Sequence, residues 1–149
     1  MRRLSMLTCA GLAVLLGSSA VAGEKGTVEE AKAMLDRAVK LVQAEGEAKA
    51  IAEFNDPAGP FRDRDLYVFC MDKDHKITAH PSEEMRGTDV TTLKDPDGKP
   101  IGQEMVALTE KGGGSVEYKW ENPASKKIEK KISFLKPAGT QSCGVGAYQ

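Results

Sequence analysis

The sequence is poor in the residues from which most catalytic and metal sites are built: of 149 residues, two are histidine, three cysteine and one tryptophan. His75 and His80 lack the i, i+4 spacing of zinc hydrolases, and no C-x-x-C or C-x-x-C-H occurs, which excludes the common zinc and haem-attachment patterns. No G-x-S-x-G elbow is present, and Gly112 to Ser115 lacks the order of a phosphate loop. The Asp95-Pro96-Asp97-Gly98 stretch is a turn rather than a calcium loop, because its fourth residue is already glycine and its twelfth, Val106, is not a bidentate glutamate. Charge of one sign is also missing: 21 basic residues face 22 acidic ones, for a net charge of −1. The one basic cluster, Lys126, Lys127, Lys130 and Lys131, is too short for an electrostatic nucleic-acid footprint. No apolar run reaches the roughly 18–20 residues of a membrane-spanning helix.

What is present begins with a leader. Arg2 and Arg3 precede an apolar stretch from Leu4 to Leu16, and Ala20-Val21-Ala22 is a small-x-small cleavage signal before Gly23. Residues 1–22 therefore read as a signal peptide and residues 23–149 as a single exported domain, periplasmic or secreted, with no membrane span once the leader is removed. Loss of Arg2 and Arg3 takes the net charge from −1 to −3. Cys9 leaves with the leader. Cys70 and Cys143 remain, an even pair in an oxidising compartment, which permits one disulfide if the two are neighbours in the fold.

From Thr27 the pattern is helical: Val28, Ala31, Leu35, Ala38 and Val42 recur at three-to-four-residue steps, Thr27 and Glu30 form a capping box, and Gly46 is the stop. A shorter helix covers Glu47 to Phe54, and a loop runs from Asp56 to Asp65. Leu66 to Met71 is apolar on both faces, as a central strand of a covered sheet must be. Asp72 to His75 turns it into a partner strand, Lys76 to His80. After a polar segment, Ser82 to Lys99, a short amphipathic helix spans Ile101 to Glu110. Three strands follow: Val116 to Glu121, Ile128 to Leu135 and Cys143 to Tyr148.

A long helix laid on five antiparallel strands, with a helical connection in the middle, is the outline of an α+β, PAS-like fold. The motifs D-L-Y-V-F (65–69), A-H-P (79–81), D-P-D-G-K-P (95–100), V-E-Y-K-W-E-N-P (116–123), K-K-I-S-F (130–134) and G-V-G-A-Y (144–148), in that order, sharpen it. In these motifs the mature chain resembles the single-Cache family of extracytoplasmic sensor domains. Departures are His75 where the first turn usually has glycine, Phe134 where a hydroxylated aromatic is common, and Cys143 two positions before the place where relatives often carry cysteine. The resemblance implies a pocket for a small organic ligand, a short carboxylate such as acetate, propionate, lactate or pyruvate, or an amine, and no cofactor. Its strand order sets the last strand beside the first, bringing Cys70 and Cys143 within reach of each other.

Tyr67 and Phe69 share one face of the central strand and Leu66, Val68 and Cys70 the other; one set must meet the long helix and the other is free to line a pocket. Tyr118 and Trp120 share a face similarly. His80, at a strand end, can donate to a ligand carboxylate as imidazole or imidazolium. Lys130 and Lys131 point to opposite faces. Alternation with Ile128, Ile132 and Phe134 puts Lys130 on the apolar face, whereas the family pattern K-x-x-aromatic carries the binding role onto Lys131. The candidate ligand-binding set is Tyr67, Phe69, His80, Tyr118, Trp120, Lys131 and Tyr148, with no catalytic or metal-ligating residue. Nothing in the sequence after Tyr148 reads as a signalling domain, so the expectation is a soluble solute-binding protein or a partner of a membrane-bound sensor or receptor. Two other readings compete: a ligand-free interaction partner of such a sensor, and a thiol-dependent enzyme with Cys70 as nucleophile and His80 as base.

Overall fold

The computed structural model of the protein describes residues 24–149; the expected signal peptide lies outside them. Helix α1 spans Val28–Glu45 and starts where its sequence says it should: the Thr27 hydroxyl accepts from the Glu30 amide while the Glu30 carboxylate accepts from the Thr27 amide. Gly46, at φ 84°, ends it and lets α2, Glu47–Asn55, leave in a new direction. Six strands follow in chain order: β1 Arg62–Asp63, β2 Leu66–Met71, β3 Ile77–Ala79, β4 Gly114–Glu121, β5 Ile128–Ala138 and β6 Gln141–Tyr148, with α3, Ile101–Glu110, between β3 and β4. His75 occupies the β2–β3 turn at φ 60°, the left-handed region that favours glycine.

All pairings are antiparallel. β2 lies between β6 on one side and both β1 and β3 on the other, and the sheet continues through β6 to β5 and β4. The five main strands thus run β3-β2-β6-β5-β4, the expected α+β arrangement with the long helix on one sheet face. Register sets Cys70 opposite Cys143, and the two are joined by a disulfide. Both sulfurs are sealed from water, so Cys70 is no nucleophile.

Because β2 and β6 are covered on both faces, each splits its side chains between two cores. Leu66, Val68, Cys70, Cys143, Val145 and Ala147 pack with Ala31, Leu35, Ala38 and Phe54 beneath α1 and α2. Tyr67, Phe69, Met71 and Tyr148 face the other way, with Val116 and Tyr118 of β4 and Ile101 and Met105 of α3. Phe134 lies on the helix face, with the Lys32 ammonium 4.8 Å from its ring centroid, so its missing hydroxyl does not alter the opposite face. Two short 3-10 turns, Glu83–Met85 and Val90–Thr92, break up the segment read as merely polar. α3 docks on the second of them: Gly102 donates to Leu93 O, and a Cβ at Gly102 would come within 1.6 Å of Val90 O.

The N-terminal stretch is tied to the β4–β5 hairpin. Buried Asp65 accepts from the Gly26 amide at 2.7 Å and from Asn122 Nδ2 at 3.1 Å. Lys25 donates to the Gln149 carbonyl and pairs with Glu129 at 2.7 Å.

Candidate functional site

Between the sheet and the α3 side lies a cavity of about 30 Å³. Tyr67 and Phe69 of β2, Tyr118 and Trp120 of β4, and His80 just past β3 form its aromatic wall. Met85, Val90 and Leu93 from the 3-10 turns and Ile101 and Met105 from α3 close it. Since one water takes roughly 10–15 Å³ on this scale, the free space is that of about two waters. A larger occupant must displace the methionines, whose unbranched side chains re-pack readily. Outside lies a vestibule of about 440 Å³ that shares Tyr67, His80, Met85 and Trp120 with the cavity and adds Arg62, Ser82, Glu121 and Lys126.

Behind Tyr67 stands Lys131, 1% exposed. Its Nζ donates to Tyr67 Oη at 2.7 Å and to Tyr148 Oη at 3.4 Å, and lies 4.0 Å from the Tyr67 ring centroid and 4.7 Å from that of Tyr148. Lys130 is exposed on the opposite face. The apolar alternation of Ile132 and Phe134 marks the face beneath α1, and the apparently polar face of Lys131 and Ser133 is the one that meets the second core. Lys131 and Tyr148 do not line the cavity themselves; they reach it through the Tyr67 hydroxyl.

No carboxylate of the described residues lies within ion-pairing distance of Lys131. Burial without a counter-ion lowers its pKa to about 7, a fall that Asp65 partly offsets. Burial, and next the Lys131 charge, lower His80 to about 3, so at neutral pH the ring is an imidazole and not an imidazolium. Its Nδ1 accepts from the Ser82 amide at 3.0 Å, which puts the proton on Nε2, and Nε2–H has no acceptor among the described residues.

The Tyr67 hydroxyl is in a similar position. Its oxygen is occupied by Lys131, while the sole acceptor for its hydrogen among the described residues is Tyr148 Oη at 3.5 Å, at the limit of a hydrogen bond. Tyr148 spends its own hydrogen on the Glu121 carbonyl at 2.7 Å. Tyr118 Oη is paired with Ser133 Oγ at 2.9 Å. Two donors, Tyr67 O–H and His80 Nε2–H, are thus poorly used on one wall, their rings 5.4 Å apart, with an ammonium behind them that no described carboxylate pairs.

Of the residues singled out in the sequence, Tyr67, Phe69, His80, Tyr118 and Trp120 come together on one wall, and Lys131 and Tyr148 form its polar backing. Sequence reasoning missed the opposite wall. Ile101 and Met105 carried a signal, the i, i+4 spacing of α3, but Met85, Val90 and Leu93 sit in turns with no period to read. It also missed Arg62, and it gave Lys126 no place in the site.

The fold is found in solved chemoreceptor domains. A methyl-accepting chemotaxis protein from Vibrio parahaemolyticus superimposes with a TM-score of 0.68 at 21% identity, covering 80% of this chain and 86% of that one. A Cache chemosensory domain described for its recognition of carboxylic acids gives a TM-score of 0.60 at 29% identity, covering 80% of this chain and 86% of that one. In sequence, 73 residues are 37% identical to the sensor histidine kinase MctS of Rhizobium johnstonii, 48% of this chain but 16% of the kinase, so the chain spans a small part of that relative's length. The family model described as Single Cache domain 2 matches residues 18–146, and the chain belongs to that family of small-ligand sensor domains.

Proposed function

We propose that this is an exported sensor domain that takes up a short carboxylate at Tyr67 and His80, with Lys131 as the buried charge that makes the site anion-selective. One observation carries the reading: two poorly used donors, the Tyr67 O–H and the His80 Nε2–H, face a small aromatic cavity backed by an ammonium with no carboxylate partner among the described residues. A carboxylate accepts both donors at once, and its charge replaces the counter-ion that Lys131 lacks. The similarity to a domain described for carboxylic acid recognition supports the same ligand class. The similarity to a sensor histidine kinase supports a signalling role, in which the domain reports to a membrane-bound signalling protein.

Titration calorimetry of the protein with acetate, propionate, lactate and pyruvate tests this. At least one should bind, and Lys131→Met should weaken it by roughly 1.5–3 kcal/mol, the worth of a hydrogen bond to a charged group. Lys127→Ala, on an exposed lysine outside the vestibule, should leave affinity unchanged. Equal affinity in the wild type and Lys131→Met would move the site elsewhere.

A further inference from the structure

We propose that the vestibule is a second anion subsite built on Arg62, so that the preferred ligand is a short dicarboxylate rather than a monocarboxylate. This rests on the carboxylate reading of the inner site and adds to it a role for the residues at its mouth. Arg62 is the vestibule's most incompletely satisfied group. Its Nη2 donates to the Asn55 carbonyl at 3.3 Å, and its Nε is the one buried side-chain nitrogen or oxygen among the described residues that has no hydrogen-bond partner. No described carboxylate pairs with it. Arg86 converges on the same carbonyl at 3.5 Å and donates through Nε to the His80 carbonyl at 3.0 Å. Its own acid, Glu83, is 3.8 Å away with a side chain 88% exposed, a pairing that water largely screens.

Two guanidiniums therefore meet at one backbone oxygen, and burial and the charge of Arg86 both push the Arg62 pKa down, a fall that Asp56 partly offsets. Lys126 adds a third cation to this end of the molecule, against the single vestibule carboxylate of Glu121, which is exposed. The vestibule is also where the space is: about 440 Å³, against about 30 Å³ inside. Tyr67 and His80 belong to both walls, so a ligand whose first carboxylate takes the Tyr67 and His80 donors extends outward toward Arg62. A methyl-ended acid leaves that guanidinium as it is, whereas a second carboxylate supplies a bidentate acceptor.

The test is calorimetry at fixed ionic strength with malonate, succinate and glutarate, each against the monocarboxylate of equal chain length, on the wild type, Arg62→Gln and Arg62→Lys. The best dicarboxylate should bind at least roughly tenfold tighter than its monocarboxylate partner. Arg62→Gln should abolish that preference and leave monocarboxylate affinity within about twofold, while Arg62→Lys should keep part of it. Monocarboxylates binding as tightly as dicarboxylates in the wild type would overturn the subsite and leave the inner site standing. Equal loss of both classes in Arg62→Gln, with an unchanged melting curve, would also overturn it, by showing that Arg62 acts through His80. If neither class binds, the inner reading fails as well.

Discussion

Burying an ammonium among aromatic rings removes the water it prefers, and Lys131 keeps its proton only weakly, with a pKa of about 7 against an ordinary 10.5. The sign of the consequence follows from proton counting. Between about 7 and 10.5 the unfolded chain holds this proton and the folded one does not, so stability rises with pH across that window. Lys131→Met fills similar volume without the charge; it should raise Tm at pH 7 and flatten that rise, while weakening carboxylate binding, a trade of function against stability. Differential scanning calorimetry from pH 6 to 10 checks it. Ligand binding runs the other way: a carboxylate favours the ammonium, so above pH 7 binding must bring a proton with it and affinity should fall. Calorimetry at pH 8 in two buffers of different ionisation enthalpy should show that uptake, and Lys131→Met should lack it. His80 contributes no charge to this profile, because at about 3 it is neutral through the whole range. Its mark is on acid stability, lost as pH falls from 6.5 toward 3, and His80→Gln should lessen that loss.

Among the elements, β6 shows why the motif G-V-G-A-Y reads as it does. Val145 and Ala147 pack beneath α1, while Gly144 and Gly146 leave room on the other face. A Cβ on Gly146 would come within 2.3 Å of Lys131 Cε, and one on Gly144 within 2.4 Å of Phe69 Cζ. Gly146→Ala should therefore displace the lysine and abolish carboxylate binding, with a fall in Tm, whereas Ala147→Gly, on the opposite face, should leave binding intact. Parallel titrations and melting curves of the two variants check this. The same element-level logic says what the sequence could show. Strand β2, apolar at every position, announced a sheet covered on both sides, and the capping box placed α1 to the residue. β5 misled because an alternating strand is ordinarily apolar on its buried face. Here the fully buried face is the one carrying Lys131 and Ser133, which looks like a solvent face, while the apolar-looking face of Ile132 and Phe134 is only half-buried. The lid was illegible for a different reason: 3-10 turns are too short to show a period, so Met85, Val90 and Leu93 gave no pattern to count.

For the molecule as a whole, the Cys70–Cys143 disulfide bridges residues 73 apart, across the strand pair that carries Tyr67 and Tyr148. A loop of that length removes about 4 kcal/mol of unfolded-chain entropy in the simplest model. Reduction should lower Tm markedly while the folded protein keeps its carboxylate affinity, since neither sulfur faces the polar wall; melting curves and titrations with and without a phosphine reductant check it. The ties among Lys25, Gly26, Asp65, Asn122, Glu129 and Gln149 have a different consequence. Tyr148 touches the ammonium through its hydroxyl and is covalently next to Gln149, whose carbonyl holds Lys25. Asp65, one residue before β2, holds Gly26. The segment that leads into α1 is thus fastened at two points to strands that bear the binding groups. A displacement of the binding groups should therefore be felt at the root of the long helix, and a change in the hydrogen-exchange rate of the Gly26 amide on carboxylate binding checks it.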